Sequence, residues 1–183
     1  MDIRLAFPNE VDDIMAVIDE ARAYIASYGS DQWQNGYPRS EDIMEDILQG
    51  QGYVAVQEGE IAAYAAVIKE HDVAYDQIYE GHWQYDNDQY VTFHRLATSS
   101  RFRGQKIMQT FLEGLLEGVN NYDFRCDTHA KNKPMQHVLE KLGFVYCGKV
   151  MLTSGERLAY QKIVSHRQLT YDKDVPEALK DGL

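Results

Sequence analysis

One strand–helix–strand run near the middle of the chain limits the fold more than any other feature of the sequence. Residues 90 to 97 are rich in β-forming side chains and are typical of a strand. Gly104 opens the helix that follows, and a second strand is indicated at Asp123 to Asp127. The buried face of the helix consists of Ile107, Phe111, Leu112, Leu115 and Val119. Because the run is long enough for a right-handed crossover between parallel strands, we predict a mixed sheet with helices on both faces.

The other elements are indicated by apolar spacing and by turn residues. In order, they are a strand at 3–7, a helix from an Asn9 cap to Gly29, a shorter helix from Ser40 to Gly50, a hairpin of strands at 53–56 and 61–68, a short helix over 75–83, a helix from Pro134 to Gly143, and a hairpin of strands at 145–151 and 157–164. The chain of 183 residues is long enough for one domain. We expect that domain over residues 1–164, followed by a loosely packed polar tail at 165–183.

The charge and the cysteines exclude several classes of protein. With 18 basic and 29 acidic residues, the formal charge is −11, which disfavours duplex nucleic acid and anionic membranes as main partners. Cys126 and Cys147 lie far apart and outside any CxxC pattern, so we predict neither a disulfide framework nor a metal site. No apolar stretch approaches the length of a membrane span or of a leader segment. These observations predict a soluble, cytoplasmic protein.

Two short basic segments interrupt the acidic background. Residues 99–106 carry three positive charges and no acid, and residues 129–133 carry two. Each lies between a strand and the next helix, where free amides and the helix dipole attract anions. Solvated loops would explain either segment alone, but their succession at two strand ends favours a phosphate-rich ligand. No GxGxxG or GxxxxGK[ST] pattern is present.

The same residues resemble the signatures of the GCN5-related N-acetyltransferases, the GNAT superfamily. Residues 96–98 and 103–108 are similar to the family's strand and its pyrophosphate loop, usually written [QR]xxGx[GA], and Asn132 followed by Gly143-Phe144 is similar to its second signature. The resemblance implies a mixed, mostly antiparallel sheet with one parallel crossover. It also implies acetyl-CoA as co-substrate, no metal, direct acetyl transfer to an amine, and by family habit a homodimer. The cofactor-binding residues that it implies are Leu96, Ala97, Thr98, Arg103, Gly104, Gln105, Lys106, Ile107, Met108, Asn132 and Lys133.

The sequence departs from the family pattern at three positions. Lys106 and Met108 stand where the loop pattern has small residues, although backbone amides can bind phosphate whatever the side chain. Leu139 stands where many members carry the tyrosine that protonates the leaving thiolate. An acetyltransferase is therefore the leading hypothesis, and a catalytically silent acyl-CoA-binding module is the rival.

Acetylation of an amine requires a base, and His94 is the candidate because imidazole titrates near neutral pH. Its place before Leu96-Ala97-Thr98 resembles the arylalkylamine branch of the superfamily, although a lone strand histidine is often simply buried. His129 is a second candidate base or, with Asp127, a support for His94, and Tyr146 is a candidate proton donor to the thiolate.

The acceptor is predicted from an acidic, aromatic stretch at residues 72–90, which contains no Lys or Arg. It indicates an amine of a small molecule or peptide, cationic in solution, with Tyr79 and Trp83 as candidate contacts. The alternative is that most of the stretch covers the core, with its acids in water. We favour covering the core as the main role of this stretch.

Overall fold

The computed structural model describes residues 1–164, so the tail predicted at 165–183 lies outside the described residues. The strands are β1 (Asp2–Leu5), β2 (Gly52–Gln57), β3 (Glu60–Ile68), β4 (Val91–Thr98), β5 (Asp123–Thr128), β6 (Val145–Leu152) and β7 (Gly155–Ile163). The helices are α1 (Val11–Ser27), α2 (Ser40–Leu48), α3 (Ile107–Gly118) and α4 (Lys133–Lys141).

The strands form one sheet in the order β1-β2-β3-β4-β5-β7-β6. Every neighbouring pair is antiparallel except β4 and β5, which are parallel and joined through α3. The predicted mixed, mostly antiparallel sheet with one parallel crossover is therefore confirmed.

Helices cover both faces, as predicted. The apolar stripe of α1, which includes Ile14 and Ile18, packs with α2 on one face of the sheet. Phe111 and Leu112 of α3 pack with α4 on the opposite face. Alternation along the strands separates the two cores, since Val54 belongs to the first and Ala55 to the second. No helix among residues 1–164 is long and apolar enough to cross a membrane.

The helix predicted over 75–83 does not form. This stretch contains a 3₁₀ turn at Val73–Tyr75, bends, and an isolated bridge between Tyr79 and Lys149. Its aromatic spacing reflects packing rather than helical periodicity: the Trp83 indole donates to the carbonyl of Tyr75 at 2.9 Å. Tyr75, Trp83 and Tyr90 belong to a third, small core that covers β6 and β7.

Two predicted helix starts were also wrong. Asn9 lies inside a 3₁₀ turn, Pro8–Glu10, and α1 begins after it. Gly104 does not open α3, because Lys106 is in the left-handed region at φ 58° and a right-handed helix cannot include it.

The central strands separate at the middle of the sheet. β4 pairs with β5 only through Val91, Thr92 and Phe93, so beyond Phe93 its edge toward β5 has no strand partner within residues 1–164. On its other edge β4 stays paired with β3, with a shift in register opposite Arg95, whose φ is 53°. This bulge and the divergence of β4 from β5 create the opening in which the candidate site lies.

Candidate active site

A cavity of about 1010 Å³ lies where β4 and β5 diverge. Its walls are the ends of these two strands, the start of α4, the loop at 31–37, the segment at 72–74, and the turn between β6 and β7. The lining residues used below are His94, Arg95, Leu96, Asp127, Thr128, Asn132, Asp72, Tyr37 and Arg157. The loop at 31–37 was predicted only as a connection, because no periodicity in the sequence indicates which loops converge.

His94 lies on β4 next to the point of divergence, with 21% of its side chain exposed. Its Nε2 is 3.9 Å from Asp72 Oδ2, and its Nδ1 is 3.9 Å from Asp127 Oδ2. Burial, the largest influence, lowers the pKa of His94 below its ordinary 6.5, while the two carboxylates oppose that shift. The ring is therefore neutral at pH 7 and able to accept a proton.

Tyr75 holds one of these carboxylates in place. Its hydroxyl donates to Asp127 Oδ2 at 2.8 Å, and its ring lies 6.4 Å from that of His94. Burial, aided by the charge of Asp127, raises the pKa of Tyr75 well above 10, so the phenol stays a donor at neutral pH. The sequence placed Asp127 near His94, but it gave no signal for Asp72 and Tyr75 as neighbours of that ring, since the contacts join distant parts of the chain.

A buried ion pair anchors the bulge beside His94. The Arg95 guanidinium binds both carboxylate oxygens of Asp46, with Nε 2.7 Å from Oδ2. Tyr64 donates to the same carboxylate at 2.7 Å, and Tyr37 accepts from Arg95. Although burial opposes it, the hydrogen bond to Asp46 raises the pKa of Arg95 above its ordinary value. This network also joins the loop at 31–37 to β4.

The predicted catalytic and substrate residues other than His94 do not line the cavity. Tyr146 is exposed on β6, with its ring 5.8 Å from that of Tyr160. Tyr79 donates its hydroxyl to Glu156 outside the cavity, and Trp83 is buried against Arg125. His129 lies at the rim, 3.3 Å from Asp31, where burial and then the positive charge of Arg157 lower its pKa.

The predicted anion site before α3 leaves backbone amides outside the helical hydrogen bonds. The first helical hydrogen bond runs from Thr110 N to Lys106 O, so the amides of the preceding turn have no carbonyl of the helix to bind. Gly104, at φ 82°, lets the loop turn sharply, and no atom approaches the position of a Cβ there. The Arg103 guanidinium stacks on the ring of Tyr24 at 4.0 Å. Arg101, by contrast, is paired with Glu58 and Glu60.

Comparison with known proteins assigns this arrangement to a family. The model of the acetyltransferase (GNAT) family matches residues 18–144. The chain belongs to the GNAT acetyltransferase family. It is thus an acetyltransferase, and the resemblance in its motifs is confirmed. No curated protein matches the chain.

Solved structures agree with this assignment. The GNAT acetyltransferase described here is 60% identical to an acetyltransferase of the GNAT family from Streptococcus agalactiae, over 90% of this chain and 95% of that one, with a TM-score of 0.87. It shares its fold with PaiA N-acetyltransferase from Thermoplasma acidophilum, solved in complex with coenzyme A, at 15% identity, 89% and 98% coverage and a TM-score of 0.65. It shares its fold with a ribosomal-protein-alanine N-acetyltransferase from Brucella melitensis, at 18% identity, 90% and 100% coverage and a TM-score of 0.61.

The residues of this GNAT acetyltransferase fit acetyl-CoA, the acetyl donor of the family. Leu96 lines the cavity on the unpaired edge of β4, and the Asn132 side chain caps α4 by accepting from Met135 N at 3.2 Å. Ile107 and Met108 are buried in the core, so only their backbone is available to a ligand. Lys133 donates to the side chain of Gln136 at 3.0 Å. Among residues 1–164, no group of three or more His, Cys, Asp or Glu side chains is arranged to hold a metal ion.

Proposed function

We propose that this GNAT acetyltransferase is an N-acetyltransferase that transfers the acetyl group of acetyl-CoA directly to a primary amine of a small molecule or an exposed amino group. The observation that carries the proposal is the position of His94, a neutral imidazole at the divergence of β4 and β5 with a carboxylate 3.9 Å from each ring nitrogen. Direct transfer needs a base at this place, because an ammonium group cannot attack a thioester.

Binding of acetyl-CoA is supported by two features of the chain. Beyond Phe93, the backbone of β4 offers its edge to an extended ligand, as an added strand would use it. The amides at the start of α3, with Arg103 and Lys106 beside them, suit a pyrophosphate. Acetyl-CoA bound across both features supplies the acetyl group as an activated thioester in the cavity.

His94 then removes the proton from the bound ammonium. The carboxylates of Asp72 and Asp127 attract the cationic amine and stabilise the imidazolium that forms. Tyr75, hydrogen-bonded to Asp127, keeps this carboxylate beside the ring. The free amine forms the new N–C bond at the thioester carbon as the C–S bond breaks. The nitrogen loses its second proton to water, the thiolate takes up one proton from water, and His94 returns its own proton to solvent.

The departing thiolate needs no residue from α4. Leu139, at the family position of the tyrosine, is fully buried in the core. Tyr160 is buried too, and burial raises its pKa. Since a thiolate with a pKa near ~8.5 leaves readily, water is a sufficient proton source.

The proposal is tested by incubating the protein with acetyl-CoA and a panel of primary amines. CoA release is followed with a thiol reagent, and acetylated products are identified by mass spectrometry. We expect continuous, amine-dependent release of CoA. Tight acetyl-CoA binding without turnover of any amine would instead support the silent acyl-CoA-binding module.

A further inference from the structure

Arg157 is a buried cation that lines the cavity and has no ion-pair partner among residues 1–164. Only 4% of the residue is exposed. Its hydrogen bonds go to neutral oxygens: the Glu156 carbonyl at 2.9 Å, and the Ser154 carbonyl and hydroxyl at 3.2 and 3.0 Å. A buried charge is costly unless an opposite charge compensates it. Arg95, the other arginine in the lining, has such a partner in Asp46.

The strand register places this cation on the same face of the sheet as Asp127, one of the two carboxylates beside the proposed base. Asp127 of β5 is directly opposite Ala159 of β7, so their side chains share one face of the sheet. Arg157 lies two residues from Ala159, on the same face and about 7 Å further along the strand. The cavity therefore has a carboxylate beside each ring nitrogen of His94, and Arg157 lies about 7 Å along β7 from the residue opposite Asp127.

The guanidinium also has donors to spare. Arginine carries five N–H donors, one on Nε and two on each Nη. The three hydrogen bonds above leave two donors for a ligand.

We infer that the acceptor is an amino acid, whose carboxylate binds Arg157 while its amino group faces His94, Asp72 and Asp127. This inference rests on the proposed N-acetyltransferase function and specifies its substrate class. The two charges of the acceptor would meet opposite charges within one cavity. An amine without the carboxylate would leave Arg157 buried and unpaired.

The experiment compares matched sets of acceptors, each consisting of an amino acid, its carboxamide and its decarboxylated amine. We expect kcat/KM for the amino acid to exceed that for its two partners by about 10- to 100-fold, as hydrogen bonds to a charged group would produce. In Arg157→Gln the ratio of kcat/KM for the amino acid to kcat/KM for its partners should fall toward one. Arg157→Lys should retain part of the preference, and turnover of the decarboxylated amine by both variants should show that they are folded.

The control is Arg39→Gln, which removes the same charge from a side chain that is 71% exposed and outside the cavity lining. It should keep the preference for the amino acid. Two outcomes would overturn the inference and leave the proposed function intact. One is acetylation of amino acids and amines at equal kcat/KM, and the other is a preference for the amino acid that survives in Arg157→Gln. If no amine were acetylated, the proposed function itself would fail.

Discussion

At the scale of single residues, the site depends on a balance of opposing effects at His94. Burial lowers the pKa of the imidazole, whereas two carboxylates at 3.9 Å favour its charged form. In the proposed mechanism, the first effect keeps the base neutral before the reaction, and the second stabilises the imidazolium once the base has taken the proton. An imidazole in this environment accepts a proton at neutral pH and is not held permanently in its charged form by an ion pair.

The first prediction is that His94→Ala lowers kcat/KM for the amine by about 10²- to 10⁴-fold at pH 7, the usual contribution of a general base. The loss should shrink at high pH, where free amine is abundant. In the unmodified protein, the acid limb should titrate below pH 6.5, because the base must be neutral and its pKa is lowered. Initial rates across pH measure both effects.

His82→Ala provides the matched control, because His82 is exposed and outside the cavity lining. It should leave the rate and the pH profile unchanged. If His94→Ala were as active as the unmodified protein at every pH, His94 would not be the base.

At the scale of elements, the bulge in β4 is held in a conformation that a non-glycine residue rarely adopts. Arg95 has a φ of 53°, and its guanidinium binds the buried carboxylate of Asp46 in α2. Such backbone strain persists only where the surroundings over-determine it. Because the bulge lies between His94 and Leu96, the ion pair couples α2 to the geometry of the site.

We predict that Asp46→Asn lowers the free energy of unfolding by about 3–5 kcal/mol, since it leaves the charge of Arg95 buried and unpaired. In the fraction that stays folded, kcat should fall because the bulge loses its anchor. Urea denaturation and steady-state kinetics measure the two effects. Asp88→Asn, at a side chain that is 94% exposed, should change stability by no more than about 0.5 kcal/mol.

The loop before α3 leads to a prediction about acetyl-CoA. Arg103→Glu places a negative charge beside the proposed pyrophosphate cradle, so the KM for acetyl-CoA should rise about tenfold. Lys69→Glu, at an exposed lysine that forms no ion pair among residues 1–164, makes the same change of charge and should leave the KM unaltered. An unchanged KM in Arg103→Glu would place the phosphates elsewhere.

The sequence predicted elements better than it predicted the site. Apolar periodicity located the buried stripes of α1 and α3, because burial on one face leaves a local pattern. The same reasoning failed at 75–83, where aromatic residues recur at helical spacing but pack against distant parts of the chain. Trp83, for example, is buried against Arg125. His94 carried a local signal, whereas Arg157 did not, since its role depends on the register between β5 and β7.

At the scale of the whole molecule, the proposed function would use the two faces of one sheet for two binding tasks. The start of α3 lies on the face that α3 and α4 cover, while Asp127, Tyr75 and Arg157 belong to the opposite face. The divergence of β4 and β5 connects the two faces at His94. An acetyl donor and an acceptor can therefore approach the same imidazole from opposite sides.

This division explains how a chain with a formal charge of −11 can suit a phosphate ligand. Asp72 and Asp127 line the cavity, whereas Arg103 and Lys106 lie at the start of α3. Arg101 contributes less positive charge than the sequence indicates, because Glu58 and Glu60 neutralise it. The attraction for phosphate thus depends on backbone amides as well as on side chains.

A ligand held by so many parts of the molecule should stabilise the whole fold. At 100 times its Kd, acetyl-CoA would add about 2.7 kcal/mol, which corresponds to a rise in Tm of roughly 5–10 °C for a domain of this size. If Arg103→Glu weakens binding tenfold, the same concentration should give about half that rise. Lys69→Glu should show the full rise. Thermal unfolding with and without acetyl-CoA measures the rise in Tm for the unmodified protein and for both variants. An equal rise in Tm in both variants would mean that the loop before α3 does not bind the phosphates.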